Sequence, residues 1–292
     1  MYIPHPCYDA EAHYQVGRIH LPVAPFCNIQ CNYCVRQTNN NFLNRPGVTA
    51  GVLSPRQALK RLKFALGFEP RLRIVAIAGP GDPLANEATL ETFSLVKEKI
   101  KPAFPEIDFC FSTNGLALLD RLPELKKLGI KYLTVTVNAV SPEIGVQIYD
   151  HVRFKGRVYK GIKAARILLE RQLEGIYQAA QAGFVIKVNS VLIPGVNDRH
   201  LIEVAETVKT AGAYIMNIMP LIPLGHFAHL QAPTSRELKQ VRAQCETIIR
   251  QWYLCKQCRA DAVGVPGEEV GSQLQQKACP FTYTTACTAC RH

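Results

Sequence analysis

Three cysteines stand close together near the start of the chain, at Cys27, Cys31 and Cys34. They follow an apolar run, Ile19 to Pro25, that predicts a β-strand. Three thiolates on one short loop can bind three irons of a [4Fe–4S] cube and leave the fourth iron open. Zinc is the alternative, although zinc loops usually combine a C-x2-C pair with a second pair elsewhere. The spacing C-x3-C-x2-C therefore favours an iron–sulfur cluster.

Eleven cysteines are a high number for a cytosolic protein. Two further C-x2-C pairs lie near the end, Cys255 with Cys258 and Cys287 with Cys290, and Cys279 comes eight residues before the second pair. Without a secretion signal, such spacings indicate metal binding rather than disulfides. Zinc remains an alternative metal for this tail, because four thiolates complete a tetrahedral zinc site.

The chain has 292 residues and a formal net charge of +11. Its basic residues are scattered, with no Lys/Arg block and no interleaved aromatics, so we expect no nucleic-acid partner. Thiolate-bound clusters are anionic and require cationic surroundings, which gives the basic balance another explanation. There is no apolar run of about 18 residues and no signal-peptide core at the start, so we expect a cytoplasmic protein with no membrane partner.

Hydrophobic patterning predicts strands that alternate with helices along most of the chain. The predicted strands are Ile19–Val23, Arg73–Ala78, Ile107–Ser112, Lys131–Val137, Phe184–Leu192 and Ala213–Met219. The predicted helices are Pro55–Leu66 with Ser54 as N-cap, Glu87–Ile100, Leu118–Leu128, Val158–Ala182, one capped by Asp198, and Thr234–Tyr253. This alternation predicts an α/β fold with a parallel sheet, arranged as a partial (β/α)6 TIM-like barrel. We expect an N-terminal arm (1–18), the barrel (19–232), and a C-terminal helix with a cluster-binding tail (233–292).

Polar and glycine residues follow the predicted strands, where catalytic groups of such barrels lie. Glycine lets the backbone approach a ligand closely, and the Asp82 carboxylate can bind an ammonium group. A tight turn or ordinary loop capping is the alternative explanation of the same residues. The candidate cofactor-binding residues at these strand ends are Gly79, Gly81, Asp82, Ser112, Thr136, Asn138 and Asn189.

Other cysteines outside the first loop are candidate metal ligands. A cysteine in a buried strand is usually a small hydrophobe, but alternation places Cys110 on the same face as Ser112. Cys110 with Cys255 and Cys258 would make a second set of three thiolates. Near the start, His5 and Cys7 flank Pro6 and offer two further soft ligands.

Several segments together resemble the NifB family of nitrogenase-cofactor maturases, within the radical SAM (S-adenosylmethionine) superfamily. An aromatic residue between the last two cysteines of the first loop, here Tyr33, also resembles the radical SAM loop. The segment 255–264 is the most specific match to the family. The resemblance covers about residues 3 to 269. The other matching segments are 5–7, 45–48, 78–86, 112–115, 188–198 and 217–222.

The resemblance implies a lyase-type radical SAM enzyme that fuses two [4Fe–4S] clusters, a SAM-derived carbide and an added sulfide into an 8Fe–9S–C precursor. It implies that Cys27, Cys31 and Cys34 hold the catalytic SAM-cleaving cluster, with Tyr33 among the cofactor-binding residues. Cys110, Cys255 and Cys258 would hold one substrate cluster, and His5 and Cys7 part of the other. The implied partners are an iron–sulfur cluster donor, an electron donor, and a protein that accepts or carries the product.

The chain departs from this family's pattern in two places. The family usually has another cysteine shortly after the first loop, in a segment ending Glu-x-Arg-Pro; here Asn40 replaces that cysteine and Leu43 the glutamate. The tail cysteines Cys279, Cys287 and Cys290 are unlike the short members of the family. Our hypothesis is that these tail cysteines supply the missing thiolates, either to the same cluster or to an additional one.

Two other functions remain open on the sequence. One is a different radical SAM maturase that modifies peptides and carries auxiliary clusters in its cysteine-rich C-terminus. The other is a non-catalytic iron–sulfur scaffold that keeps the fold but does not turn over. Cleavage of SAM to 5′-deoxyadenosine separates the scaffold from the two enzymes.

Overall fold

The structure is a computed structural model that describes residues 4–270. In this part of the chain the helices are α1 (Ala10–Gln15), α2 (Pro55–Leu66), α3 (Glu87–Lys99), α4 (Leu118–Leu128), α5 (Pro142–Ile148), α6 (Gly161–Gln181), α7 (Leu201–Thr210) and α8 (Ser235–Glu246). The strands are β1 (Gly17–His20), β2 (Ile29–Cys31), β3 (Leu72–Ile77), β4 (Asp108–Thr113), β5 (Tyr132–Thr136), β6 (Tyr149–Phe154), β7 (Arg157–Lys160), β8 (Val185–Leu192), β9 (Ile215–Pro220), β10 (Val263–Val265) and β11 (Glu268–Glu269).

The chain divides into two compact units. Within the described residues, the first unit comprises 4–26, 36–110 and 256–270, and the second comprises 27–35 and 111–255. The division falls inside β4. The domain limits expected at residues 18 and 232 stay a prediction.

The first unit is built on the strand order β11-β10-β1-β3-β4. β1 and β3 are parallel, with Ile19 opposite Val75, and β10 pairs antiparallel with β1. Helix α2 begins as predicted, because Ser54 and Gln57 form a reciprocal capping box and proline occupies the first turn. Its buried face packs against α3.

The second unit contains the parallel strands β5, β8 and β9, next to the end of β4. A separate antiparallel sheet has the order β2-β6-β7. Helix α6 packs against α4 and α5. The core of this unit is a cluster of fully or almost fully buried apolar side chains, including Leu116, Ile148, Leu168, Ile193 and Phe227. The predicted α/β fold with a parallel sheet is confirmed.

Several predicted boundaries are wrong. Asp198 does not cap α7, which starts at Leu201 with His200 as its N-cap. The segment 157–160 is strand β7 rather than the start of α6. The helix expected to reach Tyr253 ends at Glu246. The expected N-terminal arm includes helix α1, whose N-cap Asp9 accepts hydrogen bonds from the backbone of Glu11 and Ala12.

Every helix within residues 4–270 is too short or too polar to cross a membrane.

Candidate functional site

The loop with the first three cysteines lies in the second unit. Cys27, Cys31 and Cys34 are all half-buried. Cys31 ends the short strand β2, where it pairs with Tyr149 of β6. A turn follows at once, closed by a 3.0 Å hydrogen bond from the Cys34 N–H to the Cys31 carbonyl. Pairing with β6 therefore anchors the middle of the loop to the body of the unit.

Amide side chains hold the backbone of this loop. Gln30 Nε2 donates to the carbonyls of Cys31 at 2.9 Å and Cys34 at 3.0 Å. Asn32 Nδ2 donates to the Gln147 carbonyl at 2.7 Å. These amides hold the backbone of the loop through contacts that do not involve the cysteine sulfurs. Such preorganisation suits a set of thiolate ligands.

Asn114 is a residue of this site that the sequence analysis did not select. Its Nδ2 donates to Asn28 Oδ1 at 2.6 Å and lies 3.7 Å from Cys27 Sγ, within hydrogen-bond range for sulfur. Its Oδ1 accepts from the Leu116 N–H at 2.9 Å. A donor beside a ligating sulfur stabilises its anionic form. The only sequence signal was its place directly after β4, in the matched segment 112–115.

Asn138 is buried beneath the cysteine loop. Its Nδ2 donates to Tyr33 Oη at 2.8 Å, and its Oδ1 accepts from the Val191 N–H at 2.9 Å. Burial, with help from the nearby Cys31 sulfur, raises the pKa of Tyr33 well above its usual range, so Tyr33 stays neutral. Asn138 thus ties the loop to β8, and its binding of SAM stays a prediction.

Thr136 and Asn189 lie at matching positions on β5 and β8. They face each other in the parallel register, and Asn189 faces Asn217 of β9. Asn217 Nδ2 donates to Asn189 Oδ1 at 2.9 Å. Among the described residues, the buried Asn217 Oδ1 has no hydrogen-bond partner, so this strand end has a polar atom available for a ligand. Gln172 Nε2 donates to the Thr136 carbonyl at 2.8 Å.

The Gly79–Asp82 segment lies in the first unit, after β3. A Cβ on Gly81 would stand 2.1 Å from the Phe26 carbonyl oxygen, so only glycine fits there. The Gly81 N–H donates to Ala24 O at 2.6 Å and the Asp82 N–H to Phe26 O at 2.8 Å. The buried Asp82 carboxylate accepts from the Leu84 N–H at 2.9 Å. The segment is tightly built, and its binding of the SAM amine stays a prediction.

The predicted auxiliary ligands differ in their surroundings. Cys110 is buried in β4, and Cys255 is half-buried with its Sγ 3.9 Å from Met219 Sδ. His5 is buried, and its Nδ1 accepts from the Cys7 N–H at 3.0 Å, so a tight turn brings these two residues together. Ser112 is half-buried in β4. The predicted tail ligands Cys279, Cys287 and Cys290 lie outside the described residues.

The Cys258 side chain accepts a hydrogen bond from a residue that lies far from it in the sequence. Arg18 of β1, a buried residue, donates from Nη2 to Cys258 Sγ at 3.0 Å. Burial alone would lower the pKa of Arg18, but the Cys258 sulfur and the Glu269 carboxylate outweigh it and raise that pKa. Arg18 was missed because 240 residues separate the two side chains along the chain.

Among residues 4–270, no three His, Cys, Asp or Glu side chains are grouped so as to hold one metal ion. The thiolates of a cube each bind a different iron, so they need not converge on one point as zinc ligands do.

Asp261 organises the segment that follows Cys258. Its buried carboxylate accepts from Arg259 Nε at 2.7 Å, the Ala50 N–H at 2.7 Å and Thr49 Oγ1 at 3.1 Å. Arg259 also donates to the carbonyls of Asn40 and Leu43. The Asn40 side chain accepts from the N–H groups of residues 42 and 43, so it shapes this loop. The matched segment 255–264 thus has a structural role beside any ligand role.

Replacing Asp261 by asparagine should lower the free energy of unfolding by about 3 kcal/mol at pH 7, because Arg259 loses its buried anionic partner. Burial alone would raise the pKa of Asp261, but hydrogen bonds from Arg259 and Ala50 lower it below its usual 3.8. The stabilisation is therefore complete above that value and is lost as the pH falls through the lowered pKa. Urea melts from pH 7 to 2 measure this difference.

The pair of the exposed Asp120 with the partly buried Arg171 provides the control. Asp120→Asn should cost less than about 1 kcal/mol at any pH. Equal losses for the two variants at neutral pH would contradict the role given to Asp261.

A short segment of the second unit, 225–227, contacts the cysteine loop at Asn32. The Phe227 N–H donates to the Asn32 carbonyl at 3.2 Å, and His226 Nδ1 lies 3.2 Å from Asn32 Oδ1. Gly225 has a φ of +58°, and a Cβ there would stand 2.7 Å from the Asn32 carbonyl oxygen. The loop and this segment therefore fit only with glycine at position 225.

Gly225→Ala should weaken binding of iron to the cysteine loop about tenfold, because the added methyl displaces Asn32 between two ligands. Gly156→Ala is the matched control, since Gly156 also has a positive φ, +76°, but among the described residues no atom beyond its chain neighbours lies within 4 Å of its added Cβ. Iron retained after a timed chelator challenge measures the effect. Identical retention by the two variants would mean that backbone strain, rather than contact with Asn32, matters.

The sequence matches the model of the radical SAM superfamily over residues 21–208. It is 45% identical over 266 residues to the FeMo cofactor biosynthesis protein NifB of Methanocaldococcus infernus, covering 91% of this chain and 86% of that protein. The NifB of Chlorobaculum tepidum is 45% identical over 276 residues, with 94% of this chain covered. The chain spans 64% of the Chlorobaculum protein's length, and 54% of that of Azotobacter vinelandii NifB.

Solved structures show the same fold at low sequence identity. Streptococcus suis SuiB bound to its precursor peptide SuiA aligns with a TM-score of 0.57 at 11% identity, over 82% of this chain and 50% of that chain. A radical SAM methyltransferase from Sphaerobacter thermophilus aligns with a TM-score of 0.51 at 16% identity, over 81% of this chain and 64% of that chain. These similarities concern the fold alone.

Proposed function

This chain belongs to the radical SAM superfamily and, within it, to the NifB family, and on that premise we propose that it builds a precursor of the nitrogenase cofactor. Membership of the superfamily implies a [4Fe–4S] cluster and SAM as cofactors. The proposed reaction joins two further [4Fe–4S] clusters, which are substrates, with one carbon and one added sulfide into an 8Fe–9S–C product. The enzyme would be a cofactor-cluster synthase of the lyase type.

The cysteine loop is the observation that supports this proposal most. Cys27, Cys31 and Cys34 are half-buried on one loop whose backbone is fixed by amides. These three residues would hold the SAM-cleaving cluster, which when bound supplies the electron and open iron for reductive cleavage of SAM. Asn114 would stabilise the Cys27 thiolate, and Tyr33, held neutral by burial, would add no charge beside the cluster.

The carbon of the product would come from SAM in two stages. One SAM would supply the methyl group that a sulfide of a substrate cluster accepts, and a second SAM would supply the radical chemistry that removes a hydrogen from that methyl. The glycine-rich segment 79–82 would hold the methionine amine, and Ser112, Thr136, Asn138 and Asn189 would contact the rest of SAM. The role of these residues is to position the two molecules of SAM and to exclude water.

The substrate clusters would be held by the remaining ligands. Cys110, Cys255 and Cys258 would bind one, and His5 and Cys7 part of the other. The geometry that favours this is the buried Arg18 guanidinium beside Cys258, which suits an anionic ligand, and the turn that joins His5 to Cys7. Cluster donor, electron donor and product acceptor would be separate proteins.

Iron content and EPR after anaerobic reconstitution test the proposal. We expect about twelve irons per chain, and a shift on adding SAM in only one of the cluster signals. We also expect 5′-deoxyadenosine and a demethylated form of SAM as products. About four irons per chain would contradict the fusion of clusters, and about eight would contradict a second substrate-cluster site. Absence of 5′-deoxyadenosine would leave only a non-catalytic scaffold.

A further inference from the structure

Arg18 is among the largest fully buried side chains of the described part of the chain, although it carries a charge. Arg18 belongs to β1, and its guanidinium donates hydrogen bonds to residues of the C-terminal segment. Nη1 donates to the Gly264 carbonyl at 2.6 Å, and Nη2 donates to Glu269 Oε1 at 2.7 Å and to Cys258 Sγ at 3.0 Å. Burying a guanidinium is costly unless anions compensate it.

Glu269 and Cys258, the two side-chain partners of Arg18, differ in exposure and in the atom that accepts the hydrogen bond. Glu269 is about one third exposed, with 35% of its side-chain surface accessible, so water shares its charge. Cys258 Sγ is as close to the guanidinium as an oxygen acceptor would be, although sulfur is the larger atom. A neutral thiol is a weak acceptor, whereas a thiolate accepts strongly. The contact therefore places a charged donor directly at the Cys258 sulfur.

We propose that Arg18 is a positioning residue for the cluster that Cys258 would hold, and that its hydrogen bond to the ligating sulfur raises the reduction potential of that cluster. The inference rests on the proposed function, because that function assigns Cys258 to a substrate cluster. Reduction adds a negative charge to a thiolate-bound cluster, and a donor at the sulfur stabilises the reduced form more than the oxidised form.

The same contact explains how Cys258 can be a ligand in repeated turnovers. A substrate cluster must leave once it has been fused, and its departure leaves a half-buried thiolate behind. Arg18 compensates that charge because it stays fixed by Gly264 and Glu269. The side chain of Cys258 is therefore held in place for the next cluster.

Glu269 provides a test of opposite sign. Because it shares Nη2 of Arg18 with Cys258, its carboxylate draws the donor away from the sulfur and adds a negative charge nearby. Arg18→Lys keeps the positive charge but loses the planar fork that reaches all three partners, so the cluster at Cys258 should become harder to reduce. Glu269→Gln should make it easier to reduce.

The measurement is an EPR-monitored redox titration of the full chain carrying Cys34→Ser, which leaves the auxiliary clusters as the signals. Arg18→Lys should disfavour the reduced form about tenfold, or about 59 mV for one electron, and Glu269→Gln should shift the midpoint the other way. Arg71→Lys is the matched control, because the ion pairs of Arg71 within residues 4–270 are with carboxylates, Glu69 at 2.9 Å and Glu268 of the same segment at 3.0 Å. It should leave the midpoint unchanged.

Structural damage alone would not shift the midpoint in opposite directions for two variants that both weaken the contacts of Arg18. Unchanged midpoints in Arg18→Lys and Glu269→Gln, in protein that carries auxiliary clusters, would overturn this inference and leave the proposed function standing. Shifts of the same sign in both variants and in Arg71→Lys would also overturn it. Wild-type protein with only about four irons would overturn both proposals.

Discussion

Replacing Cys34 by serine is expected to abolish cleavage of SAM and to remove about four irons per chain. Serine is a far weaker iron ligand than cysteine, because its hydroxyl does not ionise at neutral pH as a thiol beside a metal does. The fold should persist, since the loop is held by Gln30 and by the Asn32 amide rather than by the sulfur. Iron analysis, circular dichroism and chromatographic assay of 5′-deoxyadenosine measure the three expectations.

Cys245→Ser is the matched control in the same unit. Cys245 is fully buried, burial raises the pKa of its thiol to about 11, and its Sγ donates to the Leu201 carbonyl at 3.5 Å. A serine hydroxyl can keep that hydrogen bond, so iron content and SAM cleavage should stay at the wild-type level. Cleavage of SAM by Cys34→Ser at the wild-type rate would show that this loop does not hold the catalytic cluster.

Gly81→Ala is expected to destabilise the first unit strongly. The new Cβ would stand 2.1 Å from the oxygen and 2.5 Å from the carbon of the Phe26 carbonyl, and backbone cannot move away as a flexible side chain can. The segment must shift and lose the hydrogen bonds of Gly81 and Asp82 to Ala24 and Phe26. We expect a loss of about 3 kcal/mol and a fall in Tm of about 6–12 °C.

Gly67→Ala distinguishes this contact from a general effect of removing glycine. Gly67 ends α2 with a φ of −74°, and its added Cβ would meet its nearest atom at an ordinary 3.5 Å. The variant should be neutral or slightly more stable, because alanine reduces the freedom of the unfolded chain. A calorimetric scan that shows equal Tm values for the two variants would disprove the steric argument for Gly81.

Local sequence signals predicted correctly those helix ends that are determined by capping residues. Ser54 and Pro55 set the start of α2, and Gly129, with a φ of +78°, ends α4 at the predicted residue Leu128. The prediction was wrong where tertiary pairing decides the structure. Residues 157–160 have a helical pattern but pair with β6, because Lys155 and Gly156 both adopt positive φ and reverse the chain.

The sequence indicates which residue types form the candidate site, but it does not indicate most of the contacts between them. The cysteine spacing and the strand-end positions are local features, so the sequence displays them. Asn114 and Arg18 were missed, because the contacts of an amide with Cys27 and of a guanidinium with Cys258 join residues far apart in the chain. Asn40 could be recognised as a departure from the family, but its role in shaping its own loop required coordinates.

The division of the chain into two units limits where it can be recombined with related proteins. The chain changes from one unit to the other four times, after residues 26, 35, 110 and 255. A crossover at a single point between residues 36 and 110 would therefore exchange parts of both units and would separate residues 27–35 from the rest of their own unit, 111–255. Chimeras with relatives should fold best when the crossover lies before residue 27 or after residue 255, because the whole second unit then comes from one parent.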